Sequence, residues 1–361
     1  MDKEREQARL CGGCESVELP QVGRGAGARG FAVLLIVGAL LVSLFAVGTL
    51  WWERGGREWI GNHWGGSASR EESDTTNRET PPLTPPVTPN NPSDTMPPVT
   101  LPEGAIPIVD RDLAESSLGR NYLHNETSYS PDVGQLLQLP LEELPLTDAP
   151  LVLILHTHTG EAYLPQGSLY VEGQLGDAVY SKDPARGVTE VGRVLCETLN
   201  AHGIPTVHCT VAHDQPLMSG AYQRSYETVR RYLALYPSIR LVIDLHRDSI
   251  LDADGAYIRT VTEGAEDAVA QVMAVVGSDG NGTPHPHWEE NLSLALRLRE
   301  RLNEKQDGVC RPVSLRNASY HQELSRYSLL LEIGSGANSL EEAKRAAILV
   351  GECLAELIQS R

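Results

Sequence analysis

The chain has 361 residues and a formal net charge of −18, with 48 Asp and Glu against 30 Lys and Arg. That acidic balance argues against nucleic acid or an anionic lipid surface as the main partner, since both would repel it. The length would hold two average domains, but the apolar, proline-rich and periodic residues are segregated so unevenly that one large core is expected.

Residues 1–30 carry Lys3, Arg5, Arg9, Arg24 and Arg29 and read as a cytoplasmic tail. Its CGGC at 11–14 resembles half of a zinc or redox site, but no second pair lies nearby. Residues 31–52 (FAVLLIVGALLVSLFAVGTLWW) are uncharged and long enough to cross a bilayer core of about 30 Å as a helix. Trp51 and Trp52 close the stretch where interfacial aromatics sit, and the basic flank before it places the N-terminus inside the cell. A cleaved signal peptide has a shorter apolar core, so a retained transmembrane helix is expected, with the rest of the chain outside. Residues 53–105 include TPPLTPPVTPNNPSDTMPP and read as a semi-extended spacer.

Residues 106–147 are expected to form an N-terminal extension of the soluble domain, and 148–361 the catalytic domain. Here β-rich runs alternate with helical patterns. Strands are predicted at Leu151–Leu155, Thr206–Val211, Leu241–Leu245, Val269–Val276 and Tyr327–Ile333. Helices are predicted at Gly187–His202, Tyr222–Tyr236, Trp288–Asn303 and Ser339–Ser360, the last opened by the capping box Ser339-x-x-Glu342. The alternation predicts an α/β fold with a mostly parallel central sheet flanked by helices.

Three of the predicted strands end in chemistry. LILHTHTGE (153–161) supplies His156 and His158, DLHRDS (244–249) supplies His246, and LLLEIGS (329–335) supplies Glu332. Ligands gather outside the carboxyl ends of strands in an open sheet, so these residues are expected to share one site. Imidazole and carboxylate ligands plus a free carboxylate suit zinc-assisted hydrolysis. The expected metal ligands are His156, His246 and a carboxylate, Glu161 ahead of Glu190. His158 stands as a further ligand or a support, because an extended backbone would point it to the same side as His156. Glu332 is the expected general base, since a charge inside YSLLLEIG is costly unless it is used. Arg247 and Asp248 would orient the ligands or hold substrate carboxylates, and His321 and Gln322 would face the same cleft. No G-x-S-x-G elbow and no H-E-x-x-H helix is present.

Together HTHTGEAY, IDLHRDS, YHQELS and LLLEIGSGANSLEEAKRAA resemble the stage II sporulation protein P family over about residues 148–358. The resemblance implies an amidase-like fold and a membrane-anchored, Zn2+-dependent N-acetylmuramoyl-L-alanine amidase, with cross-link endopeptidase activity also attributed to the family. It implies peptidoglycan as substrate, action at the sporulation septum during forespore engulfment, and a complex with sporulation proteins D and M. It places family residues on His156, His246 and Glu332. The rival readings are a zinc amidohydrolase or carboxypeptidase acting on small acyl-amino acids, and a wall-binding scaffold without activity.

Overall fold

Buried peptide groups need partners, and in the computed structural model of this chain two β-sheets and the helices packed on them provide these. The structure describes residues 101–114, 122–142, 144–262 and 268–360. The tail with its CGGC, the expected transmembrane helix at 31–52 and nearly all of the spacer lie outside the described residues. Among the described residues no helix is long and apolar enough to cross a membrane.

In chain order the elements are β1 (Ile106–Arg111), β2 (Leu123–Asn125), α1 (Val133–Gln138), β3 (Val152–Leu155), β4 (Tyr170–Val171), α2 (Leu175–Ala178), α3 (Val188–Ala201), β5 (Thr206–His208), α4 (Ala221–Leu235), β6 (Leu241–Asp248), β7 (Tyr257–Thr260), β8 (Val272–Gly277), α5 (Trp288–Lys305), β9 (Val313–Arg316), β10 (Tyr327–Ser335) and α6 (Leu340–Gln359). The main sheet has seven strands in the order β2-β9-β8-β10-β6-β3-β5, and a smaller one has the order β4-β1-β7.

The expected parallel sheet is a mixed one. Strands β5, β3, β6 and β10 run parallel, but β8 lies antiparallel to β10. The cause is the connection. Between β6 and β8 the described chain holds β7 and no crossover helix, and a parallel neighbour needs such a crossover. Helix α5 then provides one, and β9 runs parallel to β8.

Strand alternation assigns the two faces. Val152, Ile154, Leu241, Ile243, Leu245, Leu329, Leu331 and Ile333 enter a core with Leu195 and Leu199 of α3, Leu292 and Leu296 of α5, and Val350 and Leu354 of α6. Leu153, Leu155, Val207 and Val242 pack on the other face with Val229 of α4. Each fully buried leucine contributes roughly 1.5–3 kcal/mol. Helix α6 starts at the capping box, with the Ser339 hydroxyl accepting from the Glu342 amide. Strand β2 extends the main sheet beside β9, and the Leu136 carbonyl of α1 accepts from Ser293 of α5 at 2.7 Å. Cys310 and Cys353 are free and buried.

Candidate functional site

Period-two alternation places the chemistry. Leu241, Ile243 and Leu245 of β6 face α3, α5 and α6, so Asp244, His246 and Asp248 face the α4 side. In β10 the same rule turns Glu332 to that side. Glu332 is the register partner of His246, and Leu330 of Asp244. Paired strands stand about 4.8 Å apart, so the glutamate and the imidazole are direct neighbours. Beyond them the register slips, with Ser335 next opposite Asp248. Gly334 turns this irregularity in the left-handed region, φ 68°.

The two histidines of HTH part company. Strand β3 ends at Leu155, and His156 continues on the face of Ile154, toward α3. Its Nδ1 lies 2.8 Å from the Leu245 carbonyl and its Nε2 2.8 Å from Nε2 of His208. Both ring nitrogens are thus engaged in the interior, and burial lowers the His156 pKa to about 4. The structure therefore sets His156 apart from the shell expected for it. After the turn His158 lies against His246, ring centroids 5.4 Å apart, and its buried Nδ1 has no hydrogen-bond partner.

Glu161 and Asp244 flank His246 on opposite sides. Glu161 Oε2 lies 3.2 Å from His246 Nδ1. Asp244 Oδ1 lies 3.1 Å from Nε2, without the alignment of a hydrogen bond. Burial opposes a charge on His246, yet the two carboxylates hold its pKa well above the ordinary value. Burial likewise would raise Glu161, but His246 and Arg247 keep it below the usual glutamate range. For Glu332 the compensation from His246 and Arg311 is outweighed. Its Oε2 is buried without a partner, and burial followed by the Asp248 charge pushes its pKa up to about 8.

Of the remaining expected residues, Arg247 supports Glu161, its amide donating to Glu161 Oε2 at 3.2 Å, while Glu190, Asp248 and Gln322 are engaged elsewhere. Glu190 pairs with Arg193 at 2.6 Å and Lys344 at 3.6 Å, which ties it to α3 and α6 rather than to the site. Arg247 donates to the carbonyls of Ala162 and Val179 at 3.2 and 3.0 Å, fixing the loop that carries Glu161. Asp248 accepts from the buried Arg311 at 2.7 Å. Both ends of the Gln322 amide bind the β8 backbone, at Gly277 N and Val275 O.

Asp244 is the residue that sequence reasoning missed. It accepts from the Thr157 amide at 2.8 Å and the Thr157 hydroxyl at 2.6 Å while facing His246. The available signal was an acid two residues before His246, on the same face of an apolar strand. His208 and His213 also had no strand-end signal. His213 Nδ1 lies 2.7 Å from the His156 carbonyl, and Asp214 accepts from Thr159 and the Gly160 amide. These bonds shape the turn that aims His158.

Glu161 and His246 form a donor pair whose chemistry and spacing suit a zinc ion. Two donors at 2.0–2.1 Å from one tetrahedral zinc stand about 3.3 Å apart, close to the 3.2 Å between Glu161 Oε2 and His246 Nδ1. The unpartnered His158 Nδ1 is the candidate third donor, and Asp244 lies beside the His246 ring where a carboxylate could orient a ligand histidine. Among the described residues no group of three or more His, Cys, Asp or Glu side chains is placed so that it could hold a metal ion. The fit rests on the Glu161–His246 pair and the orphaned nitrogen.

Residues 112–358 match the family described as Stage II sporulation protein P. The Stage II sporulation protein P of Bacillus subtilis (strain 168) is 31% identical over 221 residues, 58% of this chain and 51% of that protein. The chain thus spans about half the length of the curated relative it matches. Among solved structures, the N-acetylmuramyl-L-alanine amidase Ami1 from Mycobacterium smegmatis covers 61% of this chain and 100% of its own, at 13% identity and a TM-score of 0.34. The catalytic domain of CwlV, an N-acetylmuramoyl-L-alanine amidase from Bacillus (Paenibacillus) polymyxa var. colistinus, covers 58% and 99%, at 10% identity and 0.35. At that overlap the reading of the site rests on its own geometry.

Proposed function

This chain belongs to the stage II sporulation protein P family, and from that premise we propose that it is a peptidoglycan hydrolase acting during sporulation. Its reaction is cleavage of the amide between the lactyl group of N-acetylmuramic acid and L-alanine. The observation that carries this reading is the register pairing of Glu332 with His246, with Glu161 and His158 closing on the same imidazole.

His158, Glu161 and His246 would hold a zinc ion, which when bound polarises an amide carbonyl and acidifies water. Asp244 holds the His246 ring from behind. Glu332 takes a proton from the attacking water as the new oxygen–carbon bond forms. It returns that proton to the alanine nitrogen as the carbon–nitrogen bond breaks. A carboxylate pushed up to about 8 by burial suits both halves of this exchange, because efficient proton transfer needs a pKa near the working pH. The apolar segment 31–52 would anchor the chain at the septal membrane, with the spacer 53–105 reaching toward the wall and sporulation proteins D and M as partners.

The test is digestion of purified peptidoglycan by the full-length chain, alongside His246→Ala and a chelated sample restored with zinc. Free stem peptides that appear only with the intact, metal-replete chain support the reading. Equal digestion by His246→Ala would remove the site from the mechanism.

A further inference from the structure

The side chains at the mouth of the site are aromatic. Tyr222, in the first turn of α4, is 38% exposed. Its ring stands edge-on to His158, with centroids 5.6 Å apart and planes at 84°. The half-buried Tyr320 lies 6.2 Å from Tyr222, tilted by 50°.

Tyr320 and His321 both occupy the left-handed region, at φ 51° and 46°. Side chains with a Cβ enter it at roughly 1–2 kcal/mol each, and two in succession need strong external support. That support is present. His321 Nε2 lies 2.9 Å from Ser225 Oγ and 3.2 Å from Thr157 Oγ1, and the next residue, Gln322, is bonded to β8 through both amide ends. The surrounding fold therefore dictates where the Tyr320 ring stands, although no turn requires a tyrosine there.

We infer that Tyr222 and Tyr320 form the platform on which the pyranose ring of N-acetylmuramic acid lies while its lactyl amide is cut. This rests on the proposed function and adds a sugar subsite to it. A pyranose shows flat C–H faces with its polar groups at the rim, and tyrosine offers flat apolar area at small entropic cost. The lactyl link separates the scissile carbonyl carbon from the ring by three bonds, about 4 Å, and the Tyr222 ring is the next side chain beyond His158.

The test is binding, separate from turnover. A peptide-free disaccharide, N-acetylglucosaminyl-N-acetylmuramic acid methylamide, is titrated into the full-length chain carrying Glu332→Gln, which would leave the ligand intact. Adding Tyr222→Ala or Tyr320→Asn should weaken its binding about tenfold, while Tyr320→Phe should hold it within about twofold, since the ring face is what binds. Asn tolerates left-handed φ, so the backbone is preserved, and the exposed Tyr222 decides the matter if Tyr320→Asn fails to fold. The inference is overturned if the disaccharide does not bind, if neither tyrosine affects it, or if the loss falls on a free stem peptide instead. Wall digestion by the unaltered chain would survive each of those results, and a chain that binds the disaccharide yet leaves walls uncut would refute the hydrolase reading alone.

Discussion

Substituting Gly192 by alanine tests where His156 lies. Gly192 sits inside α3, where alanine ordinarily stabilises a helix by about 1 kcal/mol. Here an added Cβ would stand 2.6 Å from His156 Nε2 and 2.8 Å from His208 Nε2. Neither ring has room to swing aside, since His156 is 0% and His208 1% exposed, and His156 is bonded to both His208 and the Leu245 carbonyl. Overpacking of this kind costs about 1–3 kcal/mol, and parting the two imidazoles loses about 1 kcal/mol more. After the helix gain, a net destabilisation of roughly 2 kcal/mol remains, or a fall in Tm of about 4–8 °C for a domain of this size. Thermal unfolding followed by circular dichroism reads it. In a His208→Ala background the same alanine has room, and its penalty should shrink by at least about 1 kcal/mol, the coupling expected of touching residues. A Tm that is unchanged or higher in Gly192→Ala would show that His156 is not packed against α3, and would restore it as a candidate metal ligand.

Glu332→Gln keeps the shape and removes the base, so kcat for stem-peptide release should fall by about 10²–10⁴, with unchanged zinc content by atomic absorption; near-normal turnover would dismiss Glu332 from the reaction. Asp244→Asn should weaken zinc retention by about 10–100-fold in chelator competition, the usual effect of losing the carboxylate behind a ligand histidine, and unaltered retention would contradict its assigned role. Burial lowers the His285 pKa to about 4, whereas the unfolded imidazole titrates near 6.5. The unfolded chain therefore binds more protons between those values, so this contribution is complete above pH 6.5 and is lost as pH falls toward 4. His285→Asn should flatten the acid limb of a Tm–pH curve, and an identical slope in both chains would count against the buried neutral ring.

The strand ends were legible because a continuous apolar run followed by an imidazole or carboxylate is rare without a use. His246 and Glu332 are neighbours in the structure, as that pattern predicts. The identity of the histidine beside them was not legible. It depends on whether extension persists past Leu155, and the bonds from His213 and Asp214 that end it lie more than fifty residues away in sequence. Strands β1, β4 and β7 have little alternation of their own, since a three-stranded sheet over a small cluster around Leu164, Val179 and Tyr257 is specified by tertiary contacts. The antiparallel setting of β8 is not written in its own residues for a related reason. An apolar run such as Val272–Gly277 has the same composition in either direction, and only its connection decides.

Glu332 and His246 face each other across one hydrogen-bonded ladder in the middle of the sheet, so their separation cannot change unless the sheet unzips. His158, Glu161, Tyr222 and Tyr320 lie outside those two central strands, on loops and a helix end. Any control over when this protein works must therefore act on the adjustable members. A shift of those segments would alter the site around His246 while Glu332 stays in place.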